Sequence, residues 1–138
     1  MSRDDNVRTA RLLLELINKQ AYDRLDEVYA YDLVDHDPAP EHGGGFDGVL
    51  RYFADLSAAF PDLRLDEEVC IADGDHVAMV YRLTGTQRGR FHGVAATGHR
   101  IAARGMQMSR FAGGKIVERW GAVDDMAILG RLNVAVPS

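Results

Sequence analysis

The chain has a single cysteine, Cys70, in 138 residues. That excludes an internal disulfide, and with it the small secreted scaffold held by several of them. Long apolar runs are missing as well. No stretch approaches the roughly 20 residues that a membrane-spanning helix needs, and the polar start Met1-Ser2-Arg3-Asp4-Asp5-Asn6 has neither the basic end nor the apolar centre of a secretion signal. A cytoplasmic protein is expected. Basic residues are outnumbered, 16 Lys and Arg against 21 Asp and Glu, for a formal charge of −5. With no basic run, the chain is not built to grip nucleic acid or an anionic membrane electrostatically. Gly43-Gly44-Gly45 lacks the Lys-Ser/Thr of a phosphate loop and no Gly-x-Gly-x-x-Gly follows a strand, so a nucleotide cofactor has no recognisable seat and no redox cofactor is implied. The expected partner is a small molecule or a second copy of the chain.

What is present is enough for one domain spanning 1–138, since a hydrophobic content of 46 % fills one core at this length. Val7, Ala10, Leu13, Leu14 and Ile17 recur at three- and four-residue steps, which predicts a helix from Asp5 to Gln20. A shorter helical pattern covers Asp23 to Ala30 and is broken before Pro38, because a residue preceding proline is pushed toward extended geometry. Val49, Phe53, Leu56 and Phe60 mark a third helix ended by Pro61. The period then changes to two. Leu63, Leu65, Val69 and Ile71 share one parity, Asp73-Gly74 signals a hairpin, and Val77 to Thr84 returns. A strand from about Arg100 to Phe111 turns at Ala112-Gly113-Gly114 into Lys115 to Asp124, and Met126 to Leu132 closes with a short helix. Gln87 to His99, with three glycines, reads as a mobile edge loop. Helices first and an antiparallel meander afterwards make an α+β domain in two layers, with room for a ligand between the curved sheet and the helices.

Two carboxylates, Asp124 and Asp125, close the last strand. A carboxylate at a strand end that faces an apolar cavity loses hydration, which raises its pKa toward the range useful for proton transfer. Strict alternation would place Ile116, Glu118, Trp120, Ala122 and Asp124 on one face. If Trp120 lines the cavity, so does Asp124. The competing reading makes Asp124 the N-cap of the final helix, although Asp125 can cap while Asp124 points inward.

The length of the glycine turn decides the facing strand. A three-residue loop sends Arg104, Met106, Met108 and Arg110 inward, and a two-residue Gly113-Gly114 turn sends Ala103, Gln107, Ser109 and Phe111 instead. The first is favoured, because Met106 and Met108 then form an apolar wall while Arg110 meets Glu118. Arg110 is read as a partner of Glu118, an anion or enolate contact, or both. Asp35-His36-Asp37 with Glu41-His42 admits a metal reading, disfavoured because this Pro-Gly-rich stretch forces no convergence. His36 is left as either a loop anchor or a pocket-lining donor.

Asp-His-Asp-Pro at 35–38, Ala-Phe-Pro-Asp-Leu at 59–63 and Gly-Lys-Ile-Val-Glu-Arg-Trp at 114–120, with Asp124 four residues after the Trp, together resemble the SnoaL-like polyketide cyclases of the NTF2-like superfamily. The resemblance runs over nearly the whole chain and implies a cone-shaped fold, with a curved antiparallel sheet packed against three N-terminal helices and a short C-terminal one. It further implies an enzyme that closes rings on an aromatic polyketide by intramolecular aldol chemistry, read here as needing no cofactor or metal. A homodimer through the outer face of the sheet is expected from Val117, Val123 and Met79 or its neighbours. By the resemblance Asp124 would be the acid/base; the residues' own placement makes His36 and Arg110 its candidate helpers and Trp120, Arg104, Met106, Met108 and Glu118 the candidate substrate-binding wall. Family members often set a His on the penultimate strand beside the Asp, where this chain offers only Arg104 and Arg110. A hydroxylase acting on an anthracycline-like ring and a non-catalytic binding or dimerisation module are the rival readings.

Overall fold

A computed structural model describes residues 2–39 and 41–133. The first helix, α1, runs Arg3–Asn18 and opens on a capping box in which Ser2 and Asp5 satisfy each other's backbone N–H groups. Its predicted stripe, Ala10, Leu13, Leu14 and Ile17, is buried, and Arg11 on its outer side forks onto Glu67 at 2.8 and 3.1 Å. The second helical pattern is realised only as a 3-10 segment, Tyr22–Glu27. It leads directly into a strand, β1, Tyr29–Asp35, where a break was expected.

Helix α2, Gly45–Ala59, is followed by β2 (Arg64–Asp73), β3 (His76–Thr86), β4 (Arg100–Ala112), β5 (Lys115–Val123) and α3 (Asp125–Arg131). The sheet order is β1-β5-β4-β3-β2. The meander of β2 to β5 is as predicted, but β1 adds a fifth strand, parallel to β5, with Tyr29 opposite Ile116 and Asp35 opposite Arg119. A register shift between Tyr29 and Val34 hides its alternation: Tyr29 and Leu33 are buried while Tyr31 and Val34 stand in solvent. No described helix is long and apolar enough to cross a membrane.

The β4–β5 turn settles which side chains face the helices. Ala112 pairs with Lys115, so the turn has two residues, Gly113 and Gly114, at φ 59° and 81°. Both central positions of such a tight hairpin require the left-handed region, which glycine enters without penalty. The favoured three-residue turn is therefore replaced by the two-residue one, and Ala103, Gln107, Ser109 and Phe111 face inward. A bulge follows at once. Phe111 opposes Ile116 but Arg110 opposes Glu118, leaving Val117 as the extra residue that flips the parity of the rest of β5. Ile116 is buried and inward, yet from Glu118 onward the odd-numbered residues point in. A second bulge at Glu68, between the pairs Glu67–Tyr81 and Val69–Val80, turns Val69 and Ile71 outward to 50 % and 66 % exposure although Leu65 is buried.

Helices α1 and α2 lie on the inner face, and the core between them and the sheet gathers Leu16, Ile17, Tyr29, Phe53, Phe60 and Leu83. The outer face carries Val69, Ile71, Ala78, Val80, Met106, Met108, Trp120 and Ala122 around a shallow concavity of about 380 Å³. The loop between β3 and β4, expected as a mobile edge, is anchored at many points. The side chain of Gln87, with no exposed surface, donates to the carbonyls of Gly89 and Val94 and accepts from the backbone N–H and hydroxyl of Thr97.

Candidate active site

On the inner face, α2, the chain after β1 and the ends of β4 and β5 enclose a cavity of about 350 Å³, within the size range of small-molecule sites. Tyr52 and Phe53 come from α2, Tyr81 from β3, Gln107 from β4, Arg119 from β5 and Asp35 from β1. The β5 bulge is what delivers Arg119. Its side chain is 16 % exposed and Nη1 meets Asp35 Oδ1 at 2.6 Å, the Asp35 side chain being 5 % exposed. Nε donates to Gln107 Oε1 at 3.0 Å, and Gln107 Nε2 continues to Ser109 Oγ at 3.0 Å.

These bonds fix two edges of the guanidinium and leave Nη2 without a hydrogen bond among the described residues. Gly121 makes room for that corner, since a Cβ there would lie 2.5 Å from Arg119 Nη2 and 2.9 Å from the Met106 carbonyl oxygen. Burial by itself would lower the guanidinium pKa. The charge interactions with Tyr29 and Asp35 and the hydrogen bond to Asp35 outweigh it and hold the group above its ordinary value. The cation persists at any working pH, presented to the cavity by one donor edge. Desolvation raises the phenols of Tyr52 and Tyr29 and pushes Tyr81 up to about 12, so all three remain neutral donors.

The carboxylate doublet divides its work in the reverse of the favoured order. Asp124 caps α3, accepting from the N–H of Ala127 at 3.0 Å, and is exposed. Asp125 lines the cavity. It also lines a second chamber of about 510 Å³ that lies against α2 and the Gly89–His92 segment, and Tyr52 is shared between the two spaces. His92 Nε2 reaches Asp125 Oδ2 at 3.3 Å.

The other residues singled out from the sequence are brought together, but on the outer face. Glu118 takes His36 Nε2 at 2.8 Å and Arg110 Nε at 2.6 Å. Its carboxyl is held below its usual value first by the hydrogen bond from His36 and then by that from Arg110. His36 stacks flat on Trp120, ring centroids 4.6 Å apart and planes within 5°. Met106 and Met108 are 58 % and 40 % exposed beside them, and Arg104 pairs with Glu68 at 3.0 Å. None of these side chains belongs to the inner wall, because the two-residue turn and the Val117 bulge invert the assumed parity. The acidic-histidine run diverges likewise. Asp35 turns to Arg119, His36 to the outer face, and Asp37 accepts from the N–H of Gly121 at 2.9 Å, while buried His42 turns to Asp55 at 2.5 Å. From the sequence, Gln107 enters only with the disfavoured two-residue turn, and Arg119, Tyr52 and Tyr81 are not singled out as site residues. The one signal available is the pairing of Gln107 and Arg119 as inward polar positions on two adjacent strands, and Tyr52 on α2 carries none.

A family model described as SnoaL-like polyketide cyclase matches residues 7–132. The chain belongs to that family. Among solved structures it is similar to IdmH of Streptomyces antibioticus, a candidate polyketide cyclase, at 31 % identity over 94 % of this chain and 99 % of that one, with a TM-score of 0.82. It is similar also to AclR of Streptomyces galilaeus, a candidate hydroxylase, at 25 % identity over 96 % and 98 %, TM-score 0.86. TsrD of Streptomyces laurentii, at 18 % identity over 98 % and 99 % and a TM-score of 0.88, shares the fold. A search of curated proteins found no match. The SnoaL-like chain thus has the NTF2-like fold, with the cavity on the inner face of its sheet.

Proposed function

We propose that this SnoaL-like protein is a polyketide-tailoring enzyme that closes a ring on an aromatic polyketide by intramolecular aldol chemistry, with Asp125 as acid/base and Arg119 as the enolate contact. The observation that carries the reading is that Asp125 and the donor edge of Arg119 line one cavity of about 350 Å³. Asp125 takes a proton from a carbon flanked by carbonyls. The enolate oxygen is met by Arg119 Nη2, a preorganised charge on a side chain only 16 % exposed. The enolate carbon then attacks a carbonyl of the same chain, a C–C bond forms, and the proton on Asp125 passes to the new alkoxide. Mass and oxidation state are unchanged, so the reading calls for no cofactor. General acid/base action supplies roughly 10²–10⁴-fold, and folding the substrate in the cavity adds proximity. Asp124, which stands where the family motif places its Asp, acts as the helix cap that aims Asp125.

A hydroxylase reading is favoured by two observations: the likeness to AclR, a candidate hydroxylase, and inward β4 positions occupied by Gln107 and Ser109, neither of which is an acid/base at working pH. The experiment is to incubate the protein with an aromatic polyketide bearing a β-dicarbonyl methylene and a free carbonyl, in air and under nitrogen, and to follow product mass. An isomer of unchanged mass formed equally under nitrogen supports the cyclase. A product one oxygen atom heavier, formed only in air and only with an added two-electron reductant that carries the second oxygen atom to water, supports the hydroxylase, and saturable binding without turnover supports a binding module. We place the reaction in the cytoplasm and assign the apolar outer face to a second copy of the chain, because Val69, Ile71, Met106 and Met108 together leave a patch larger than isolated surface residues explain.

A further inference from the structure

We propose that His92 is the imidazole partner of Asp125, supplied by a loop and not by strand β4, and that Gln87 is the residue that positions it. The inference rests on the reading of Asp125 as acid/base. Phe91 and Val94 exchange both backbone hydrogen bonds, at 3.0 and 2.8 Å, around His92 and Gly93 at φ 47° and 77°. This is a type I′ turn with histidine at a position where asparagine or glycine is preferred. An unfavourable backbone angle on a side chain that reaches a cavity carboxylate is the pattern expected of a functional constraint.

The turn is held at three places. Phe91 packs edge-on against Phe60 with centroids 5.3 Å apart, Arg90 Nη1 donates to the Gly93 carbonyl at 2.8 Å, and the N–H groups of Arg88 and Gly89 both donate to the Ala59 carbonyl at the end of α2. Gln87 closes the base. Its amide makes four bonds to the loop, at 3.0, 3.0, 3.0 and 2.7 Å. That leaves it no spare capacity, and an apolar replacement would strand Thr97, Gly89 and Val94 together. The loop is consequently a rigid arm, and the imidazole it carries sits where proton exchange with Asp125 Oδ2 is direct. The charged and titratable groups facing this pair are Glu41 and His42 from the chain before α2, Asp55 and Tyr52 from α2, Arg90 from the arm, and, across the cavity, Arg119, Asp35, Asp37 and Tyr81. Asp55 is engaged by His42 and Arg119 by Asp35, which leaves His92 as the imidazole bonded to Asp125 among the described residues.

The test combines amide hydrogen exchange with turnover on the whole protein. In Gln87→Leu the amides of Val94, Thr97 and Gly98 should exchange at least about tenfold faster while the β3–β4 ladder is unchanged, and turnover should fall at least about tenfold. His92→Asn suits the turn, so the loop amides stay protected, yet turnover should fall as far and the pH profile of kcat should lose one ionisation. His92→Gln, whose longer side chain can carry an amide donor to Asp125 without a titrating ring, should recover part of the rate and not the lost ionisation. Adding Gln87→Leu to His92→Asn should cost little more. A His92→Asn protein with the wild-type pH profile, or losses that multiply in the double variant, overturns the proposal. Asp125→Asn separates the two claims. If it is inactive while His92→Asn behaves as wild type, only the role of His92 fails; if it is active, the Asp125 reading fails and this inference with it.

Discussion

Replacing Asp35 by asparagine should destabilise the protein by about 3 kcal/mol, because it removes one charge from a pair that the fold has largely taken out of water. The side chains of Arg119 and Asp35 are 16 % and 5 % exposed, and one carboxylate oxygen serves both the guanidinium at 2.6 Å and the N–H of Asp37 at 3.0 Å. Asparagine can keep these as neutral acceptor contacts, which sets the cost near the lower end of the roughly 3–5 kcal/mol found when a buried pair loses a partner. For a domain of this size that is a fall in Tm of roughly 10 °C. Urea unfolding of wild type, Asp35→Leu, Arg119→Met and the double variant Asp35→Leu/Arg119→Met measures the coupling as a cycle, with Asp35→Asn measured beside it. Each single change should be costly, and the double one should recover much of the loss because an apolar pair of similar volume carries no desolvation debt. An Asp35→Asn cost within about 1 kcal/mol, the range of exposed ion pairs, or a double variant as unstable as the sum of its parts, would refute the view that this pair is a buried, coupled unit.

Three other outcomes follow from the geometry. Tyr81 holds its proton up to about 12 when folded, against 10.0 for a free phenol, chiefly through desolvation; its contribution is therefore intact below pH ~10 and lost as the pH rises toward 12. The alkaline fall in stability, measured by urea titration at successive pH values, should be shallower in Tyr81→Phe, and an unchanged slope would contradict the assignment. Light scattering should find wild type at twice the 15.2 kDa chain mass and Met106→Lys, which charges the outer face, at one chain mass, whereas a wild-type monomer at micromolar concentration would remove the second copy from that face. Trp120, stacked on His36 outside the cone, should show unchanged emission when a ligand fills the inner cavity, and a saturable change tracking that binding would put the indole inside.

Much of the architecture was legible because it is written in local periodicity. The 3.6-residue stripes of α1 and α2, the Asp73-Gly74 hairpin and the Gly113-Gly114 turn all carry their own signals. The faces were not legible. One residue inserted at Val117 and one at Glu68 each reverse the inward set of the strand beyond it, and nothing in the alternation of Lys115 to Val123 marks the insertion. Trp120 and Glu118 consequently exchanged sides with Arg119 and Gly121. Strand β1 was hidden for a related reason, since its parallel partner lies some 85 residues away and its own alternation is broken by the register shift. The doublet at 124–125 kept both of its possible roles in view, and only the hydrogen bond to Ala127 assigns the cap.

The central claim is that Asp125, and not Asp124, handles the proton, and the most direct test is turnover of Asp125→Asn beside Asp124→Asn on an aromatic polyketide, with ligand affinity and Tm measured on the same samples. Asp125→Asn should lose at least about a hundredfold in kcat with affinity and Tm near wild type. Asp124→Asn preserves a capping oxygen and should stay active, while Asp124→Ala should lose about 1 kcal/mol of stability. The opposite pattern, an active Asp125→Asn beside an inactive but folded Asp124→Asn, would contradict the account.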